Sequence, residues 1–310
     1  MTCYHPIDAW YSYSKKTSKG NRAITFSSQD AIPYTHFQIP CGQCIGCRLA
    51  RSADAMVRCI HESKMWPVNS FVTLTYSDDY LPEDNGLCFR DLQLFWKRLR
   101  RYFDGRKIRY FACGEYGSLG RRPHYHAIIF NCDFSDKKPF FKAPSGAITY
   151  RSDLLSDIWG LGYCTLGDVT PESAGYVARY VTKKITGDGN RNDYVDDDGV
   201  CISKENSRWS RDPFIGGSYL ARYWEDIYLR GDKCLVQYAG KMKNFRVPRA
   251  YDKWLAENHP SVFADIKAER AKSALEYQRS PESSWQRMRV KEELHKLRAE
   301  KLVRNLEEQL

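Results

Sequence analysis

Residues 121–130 constrain the fold of this chain more than any other stretch. They read Arg-Arg-Pro-His-Tyr-His-Ala-Ile-Ile-Phe, so two histidines one residue apart open an apolar run rich in β-forming residues. Successive side chains of a strand point to opposite faces, which puts His124 and His126 on one face and Tyr125 on the other. Residues 127–130 would anchor this strand in a core. The segment therefore predicts a buried strand that carries two imidazoles side by side.

A second strand is predicted over residues 108–113, and it runs into the sequence Gly-Glu-Tyr-Gly. The following loop, residues 118–122, is short enough to join the two strands as an antiparallel hairpin. Such a hairpin places Glu115 beside His124 and His126. A carboxylate and two imidazoles form an open divalent site, suited to Mg²⁺ or Mn²⁺ with water and phosphate completing the shell. The alternatives are a surface glutamate at a strand end and a structural histidine pair.

Three of the eleven cysteines are clustered, with glycines beside the turns: Cys41, Cys44 and Cys47. This spacing brings thiolates onto one tetrahedral ion, and a structural zinc site needs four ligands. We predict such a Zn²⁺ site with Cys3 as the fourth ligand; His5 is the next candidate and Cys59 the third. The alternative is three reduced thiols near the start of a helix. An odd cysteine count without an export signal argues against a disulfide framework.

The charge balance favours a nucleic-acid partner. Lysine and arginine number 48 against 38 acidic residues, which gives a net charge of +10, and aromatic residues make up 14% of the chain. Cations neutralise phosphates while bases stack on rings, as in the basic, aromatic stretches 208–223 and 241–249. A basic surface kept for solubility is the alternative. No apolar run is long enough to span a membrane and no secretory signal is present, so we expect a soluble protein with no membrane partner.

Helical periodicity appears in several segments. Amphipathic helices are predicted from residue 49 to before Pro67 and over residues 92–103, where the basic outer face is expected to be solvated. A strand is predicted over residues 71–76, a polar loop over 133–145, a helix over 152–159 and a strand over 163–169. From about residue 261 onward the composition predicts one long amphipathic helix, which docks on the body or pairs with a partner.

Pro171 is predicted to open a further helix, at the position where a missing N–H costs nothing. Tyr176 and Tyr180 are four residues apart on it and share one face, which Lys183 and Lys184 continue. The alternative is a pair of core tyrosines. Two lysines flanking a buried tyrosine pair are unusual in a core, and they would rather stabilise a phosphate or a phenolate.

This set of segments resembles the replication initiators of small single-stranded DNA phages of the microvirus group, most closely the gokushovirus branch. Those proteins belong to the His-hydrophobic-His (HUH) family of rolling-circle nicking endonucleases. Residues 71–76 resemble the first motif of the family, residues 114–126 its metal motif, and residues 176–184 the two-tyrosine motif. The cysteine cluster with Cys3 and residues 214–219 also look like the gokushovirus pattern. The resemblance runs in order from residue 3 to about residue 249.

The resemblance implies an α+β fold, with a central antiparallel β-sheet and flanking helices, similar to an RNA-recognition fold. It implies that Glu115, His124 and His126 hold a catalytic divalent metal. Tyr176 or Tyr180 would then attack the scissile phosphate, giving a 5′-phosphotyrosyl enzyme and a free 3′-OH. Positive charge is needed at the phenol, whose ordinary pKa is near 10. The metal with Lys183 or Lys184 would supply that charge.

The sequence thus predicts a rolling-circle initiator that nicks and joins single-stranded or unwound origin DNA in the host bacterial cytoplasm. No glycine-rich phosphate loop followed by Lys-Ser/Thr appears, so a host helicase and polymerase are the expected partners. The expected division is a cysteine segment 1–48, an endonuclease domain 49–260 and a helical extension 261–310. The alternatives are a plasmid or transposon nickase and a non-enzymatic, zinc-stabilised nucleic-acid-binding protein. The oligomeric state stays open.

Overall fold

A computed structural model describes residues 3–18, 20–117, 120–142, 146–171, 173–175, 177–178, 202–238 and 240–300. Packing divides the described chain into two compact units. One unit comprises residues 3–50 and 277–300, and the other comprises residues 51–276. The domain limits predicted from the sequence, at residues 48 and 260, stay a prediction.

The unit of residues 3–50 and 277–300 contains a small antiparallel sheet. Its strands are β1 (Ile7–Lys16), β2 (Arg22–Thr25) and β3 (Phe37–Ile39), in the order β2-β1-β3. These strands were not predicted from the sequence, although apolar or aromatic residues at every second position from Ile7 to Tyr13 are a period-two signal. The first residues of α1 (Ile45–Ser63) also belong to this unit.

The larger unit is organised around an antiparallel sheet, which confirms the predicted α+β class. Seven described strands take part, in the order β10-β5-β6-β4-β9-β8-β7. Their bounds are β4 (Asn69–Tyr76), β5 (Arg109–Tyr116), β6 (Pro123–Phe130), β7 (Lys138–Lys142), β8 (Ile148–Arg151), β9 (Gly162–Asp168) and β10 (Asn206–Trp209). The hairpin β11 (Lys233–Tyr238) and β12 (Lys241–Arg246) forms a separate two-stranded sheet.

Both faces of the central strands are buried. Alternate side chains of each strand therefore face two different cores. Tyr125, Ala127 and Ile129 of β6 face a core built with α2 (Phe89–Tyr102) and α3 (Asp153–Trp159). Ile128 and Phe130 face the other core, which includes α1, α4 (Gly217–Tyr228) and α5 (Arg249–Asn258). Because His124 and His126 have the same parity as Ile128, they lie on the second face.

Most predicted elements are confirmed with shifted ends. The strand predicted over residues 71–76 begins at Asn69, and the helix predicted from residue 49 begins at Ile45. Ser152 caps α3, because its hydroxyl accepts a hydrogen bond from the Leu155 N–H. Pro171 is helical, as are residues 173–175 and 177–178. Tyr176, Tyr180, Lys183 and Lys184 lie outside the described residues.

Two predictions from the sequence are wrong in detail. The expected polar loop 133–145 contains strand β7, which pairs with β8 and whose five residues are all exposed. The expected single C-terminal helix is two helices, α6 (Pro260–Arg279) and α7 (Trp285–Glu300). A 3₁₀ turn over Pro281–Ser283 separates them, because proline cannot continue the hydrogen-bonding pattern of a preceding helix. None of the described helices combines the length and apolarity needed to cross a membrane.

Candidate metal centres

The β5–β6 hairpin brings the predicted Glu-His-His set together. Its register pairs Glu115 with His124 and Cys113 with His126, so the three side chains share one face of the sheet. One ligand atom from each residue lies within 4.8 Å of the other two, and Glu115 Oε1 is 3.5 Å from His124 Nε2. The convergence expected from the hairpin is therefore present in the structure. That these residues bind a metal stays a prediction.

Neighbouring groups orient both imidazole rings. The Nδ1–H of His124 donates to the Arg122 carbonyl at 3.1 Å, and Nδ1 of His126 is 3.0 Å from Thr73 Oγ1 on β4. Since each Nδ1 is engaged in this way, Nε2 is the nitrogen that each ring can offer to a metal. Metal-binding histidines are commonly held through the other ring nitrogen, and such partners tune ligand affinity. Thr73 is thus a positioning residue for this site.

The three side chains differ in their exposure to solvent. Glu115 and His126 are 0% and 3% exposed, whereas the side chain of His124 retains 12% exposure. The Phe71 ring stacks on His126 with centroids 5.9 Å apart and forms the apolar floor beside it. A carboxylate and two imidazoles fill three positions of an octahedral shell and leave others for water or a phosphate oxygen. This donor set fits a hard or borderline divalent cation such as Mg²⁺ or Mn²⁺.

Ala174, Val177 and Ala178, which are helical, pack onto the same face of the sheet. Val177 and Ala178 are fully buried in the core that also contains Phe71 and Cys113. The thiol of Cys113, which pairs with His126 in the hairpin, is 3.8 Å from the Val177 carbonyl oxygen. The contacts place Val177 and Ala178 against the strand that carries Glu115.

The second cluster contains four cysteines. One ligand atom from each of Cys3, Cys41, Cys44 and Cys47 lies within 4.8 Å of the others. Cys3 Sγ is 3.6 Å from Cys41 Sγ and 3.9 Å from Cys44 Sγ. Four sulfurs at about 2.3 Å from a tetrahedral zinc lie about 3.8 Å from one another, so the separations fit a zinc site. A disulfide would need about 2.05 Å.

Backbone N–H groups point at these sulfurs. Cys41 Sγ accepts from the N–H groups of Gln43 at 3.4 Å and Cys44 at 3.3 Å, and Cys44 Sγ accepts from Tyr4 N–H at 3.4 Å. Burial raises the pKa of Cys41, but the hydrogen bonds from Cys44 and Gln43 outweigh it and lower the pKa to about 7. Burial raises the pKa of Cys47 to about 12. A bound cation would favour the thiolate form of all four.

The two other candidates for the fourth zinc ligand are engaged elsewhere. His5 Nε2 is 3.0 Å from both carboxylate oxygens of Glu292 on α7. Cys59 is fully buried in the core of the larger unit. Cys3 is therefore the candidate that the structure brings to the cluster, although its role as a ligand stays a prediction.

Thr73 is a site residue that the sequence analysis missed. It is 4% exposed on β4, opposite His126 in the β4–β6 register. Its sequence signal is weak, namely a polar, β-branched residue between Val72 and Leu74. Reading it required knowing which strand pairs with β6, and residues 77–122 separate the two strands in the chain.

Comparison with known proteins connects these features to one group. A family model for replication-associated proteins of the ORF2 type matches residues 69–185, a range that runs from β4 through the hairpin and beyond residue 178. The match therefore includes the Glu-His-His set and the two tyrosines, Tyr176 and Tyr180, that are predicted to be nucleophiles. No solved structure matches the chain at a comparable level.

Three relatives are phage proteins. The chain is 33% identical to replication-associated protein VP4 of Bdellovibrio phage phiMH2K over 276 residues, covering 86% of this chain and 81% of the relative. It is 35% identical to replication-associated protein ORF2 of Spiroplasma virus 4, covering 92% and 91%. It is also 37% identical to replication-associated protein ORF4 of Chlamydia phage 1, covering 58% and 47%. The first two matches cover more of the chain than the larger unit contains, so they extend over both units of the structure.

Proposed function

We propose that this chain, which belongs to the family of phage replication-associated proteins, is a metal-dependent nickase that initiates rolling-circle replication. It would cut single-stranded or unwound origin DNA at a specific site and later rejoin the ends. The proposed setting is the cytoplasm of the host bacterium, with the host helicase and polymerase as partners.

The observation that carries the proposal is the hairpin register that gathers Glu115, His124 and His126. These residues would hold Mg²⁺ or Mn²⁺, and a divalent cation supplies charge that polarises a phosphoryl oxygen. Glu115 neutralises part of that charge, and the buried ring of His126 excludes water from one side. The more exposed side of the set, at His124, is where a phosphate can approach.

A tyrosine of the segment 176–184 is the proposed nucleophile. The phenolate oxygen of Tyr176 or Tyr180 forms a bond to phosphorus, and the bond from phosphorus to the 3′ oxygen breaks. The 3′ oxygen leaves as a hydroxyl after taking up a proton, while the phenol has given its proton to solvent or a base. Lys183 or Lys184 would stabilise the phenolate, because free phenol ionises only near pH 10. The support is the packing of Val177 and Ala178 against the metal-bearing face.

Two tyrosines would allow the cut DNA ends to be rejoined. A phosphotyrosyl bond retains the energy of the broken phosphodiester, so resealing needs no ATP. While one tyrosine holds the old 5′ end, the other can cut the regenerated origin. The new 3′-OH then attacks the first phosphotyrosyl linkage and closes a circle. A phosphodiesterase that used water as its nucleophile would need neither tyrosine.

The cysteine cluster is proposed to hold a structural zinc ion. The four thiols fill a tetrahedral shell with protein ligands, and such closed sites act by stabilising the fold. Tyr4 and His5, which follow Cys3, contact His295 and Glu292 of α7. Ordering Cys3 by a metal would therefore also order the segment that meets the C-terminal helix.

A covalent-adduct assay tests the nickase. Labelled single strands tiled across the genome that encodes this chain are incubated with the protein and Mn²⁺, and adducts are resolved on a denaturing gel. We expect Tyr176→Phe and Tyr180→Phe each to retain some adduct, and the double variant to form none. Tyr102→Phe, at an exposed tyrosine of α2, is the matched control and should behave as the parent.

Mass spectrometry of the adduct identifies the esterified residue. An adduct that persists in the Tyr176→Phe/Tyr180→Phe double variant would place the nucleophile elsewhere. No adduct with any strand, in the presence of tight DNA binding, would favour a non-enzymatic, zinc-stabilised nucleic-acid-binding protein.

A further inference from the structure

A cleft of about 530 Å³ opens at the edge of the seven-stranded sheet, where β10 pairs with β5. We refer to it as the cationic cleft. Its principal lining residues are Arg100, Lys107, Tyr110, Arg208, Trp209 and Arg211. Tyr110 and Glu115 are five positions apart on β5. At about 3.4 Å per residue Tyr110 therefore lies about 17 Å along β5 from Glu115, and its side chain points to the opposite face of the sheet.

The lining of this cleft is strongly positive. Arg100, Lys107, Arg208 and Arg211 are exposed, and none has an ion pair among the residues that the structure describes. The one acidic lining residue is Asp212. Four cations converging on one concave surface repel each other, so the cleft favours a ligand that brings several negative charges. The basic face of α2 was expected to be solvated, but Arg100 on that face lines this cleft.

The guanidinium groups are positioned by aromatic rings. Arg208 lies over the Phe89 ring at 4.9 Å from its centroid, and Arg100 lies over the Tyr110 ring at 5.6 Å. Tyr110 in turn stacks on Trp96 with centroids 4.0 Å apart and planes 9° apart. The guanidinium groups that lie over these rings are planar and exposed, and an unpaired base can stack on them.

The wall formed by the residues after β10 is fixed to the sheet. Ser210 N–H donates to the Tyr110 carbonyl at 3.0 Å, and Tyr110 N–H donates to Ser210 Oγ at 2.9 Å. The Arg109 guanidinium donates to the Asp212 carbonyl at 2.9 Å and is itself paired with the fully buried Glu62. Because Arg109 is neutralised by Glu62, it holds the wall without adding to the charge of the cleft. The cleft is therefore built before any ligand arrives.

We propose that the cationic cleft binds the backbone phosphates of a single-stranded DNA segment that flanks the cleavage point. The proposal takes from the proposed function that the substrate is DNA and that the cut is made at the Glu-His-His set. A single strand is favoured over a duplex because only unpaired bases expose the faces that can stack beside Tyr110. A distance of about 17 Å corresponds to up to about five nucleotides at about 3.4 Å each. The footprint on one side of the cut is thus longer than the metal centre alone requires.

Binding of a fluorescent 30-nucleotide single strand of mixed sequence tests the proposal. Anisotropy is measured on the full chain over a range of salt concentrations, with no divalent metal added so that cleavage does not interfere. Arg208→Ala/Arg211→Ala is compared with Lys267→Ala/Lys272→Ala, which removes the same charge from two exposed lysines of α6. We expect the cleft variant to bind about tenfold more weakly than this control. The slope of log K against log salt should fall by about 1.4, at about 0.7 per lost phosphate contact.

A second variant guards against a folding defect. Arg211 has no ion pair in the described part of the chain, so Arg211→Glu should leave the thermal midpoint unchanged and still weaken binding about tenfold. Equal affinity and equal salt slope for the cleft and control variants would overturn the proposal. So would a duplex of the same sequence that competes as well as the single strand.

The outcome is independent of the nickase proposal. If the parent protein forms no covalent adduct, the proposed nickase fails. The difference between the cleft and control variants in metal-free binding still decides whether the cleft takes DNA.

Discussion

The two clusters of candidate ligand residues differ in how the chain assembles them. Three of the four cysteines come from one seven-residue segment, held by backbone N–H groups that point at sulfur. Glu115, His124 and His126 come from two strands and are brought together by the register of a sheet. The cysteine cluster supplies four soft thiols and can close a shell. The other set supplies three nitrogen and oxygen donors and leaves positions for water or phosphate.

That difference teaches why one cluster suits a structural role and the other suits catalysis. A closed tetrahedral site exchanges its metal slowly and contributes folding free energy. An open site on two buried strands keeps its ligands rigid while a substrate oxygen joins the shell. The two clusters are therefore expected to respond differently to chelation, to substitution of a ligand and to loss of a neighbouring hydrogen bond.

The largest expected effect is a difference between the two clusters in their response to chelation. Mild chelation that removes Mg²⁺ and Mn²⁺ should abolish adduct formation, by at least about a hundredfold, and added Mn²⁺ should restore it. Zinc content measured by elemental analysis on the same sample should stay near one per chain. Full adduct formation by chelated protein would remove the basis for an open catalytic site.

The second largest expected effect is the loss of zinc when one cysteine of the four-cysteine cluster is replaced. Cys44→Ser should lose most of the zinc, because a structural site with three thiolates forfeits much of a binding free energy of about 10–16 kcal/mol. Limited proteolysis should then cut within residues 3–50 before it cuts the large sheet. Cys88→Ser is the matched control, since Cys88 lies outside both clusters and is partly exposed. Equal zinc content in the two variants would contradict a four-cysteine site.

A smaller effect is expected when a positioning residue is changed. Thr73→Val keeps the shape of the side chain but removes the hydroxyl 3.0 Å from His126 Nδ1. The Mn²⁺ affinity should fall by about 10- to 100-fold, the usual cost of losing such a partner. The control is Thr165→Val, at the residue opposite Thr73 on β9. A titration of Mn²⁺ binding reads this without relying on activity, and equal affinities would mean that Thr73 does not orient the ring.

The smallest effect distinguishes the two N-terminal ligand candidates. His5→Ala should leave zinc content unchanged and lower the free energy of unfolding by no more than about 1 kcal/mol, because exposed ion pairs contribute little. The side chain of His5 is 66% exposed and pairs with Glu292 rather than with the cysteines. Cys3→Ser provides the contrast and should lower zinc content. If instead His5→Ala loses zinc and Cys3→Ser keeps it, the histidine is the fourth ligand.

Much of the fold could be predicted because its signals are local. The stripe of α2 and the alternation of β6 each appear within a short window of sequence, and both elements formed close to the predicted positions. The errors fell where local signals are weak. Strand β7 is exposed throughout and so has no alternation to detect. The C-terminal helix was predicted as one because its composition continues across Ser280 and Pro281, although the proline marks the break.

The sequence alone determined that His124 and His126 share a face and that three cysteines can meet one ion, since short-range chain geometry settles both. The short loop after Glu115 also predicted that this carboxylate lies beside the two histidines, and the register confirms it. Only the tertiary structure decided that Thr73 lies beside His126, and that Cys3 rather than His5 or Cys59 lies at a cluster 38 residues away. The cationic cleft likewise exists only where α2, β5 and β10 meet. These contacts depend on strand register and loop closure, which are settled by packing of the whole chain and leave no mark in a local window.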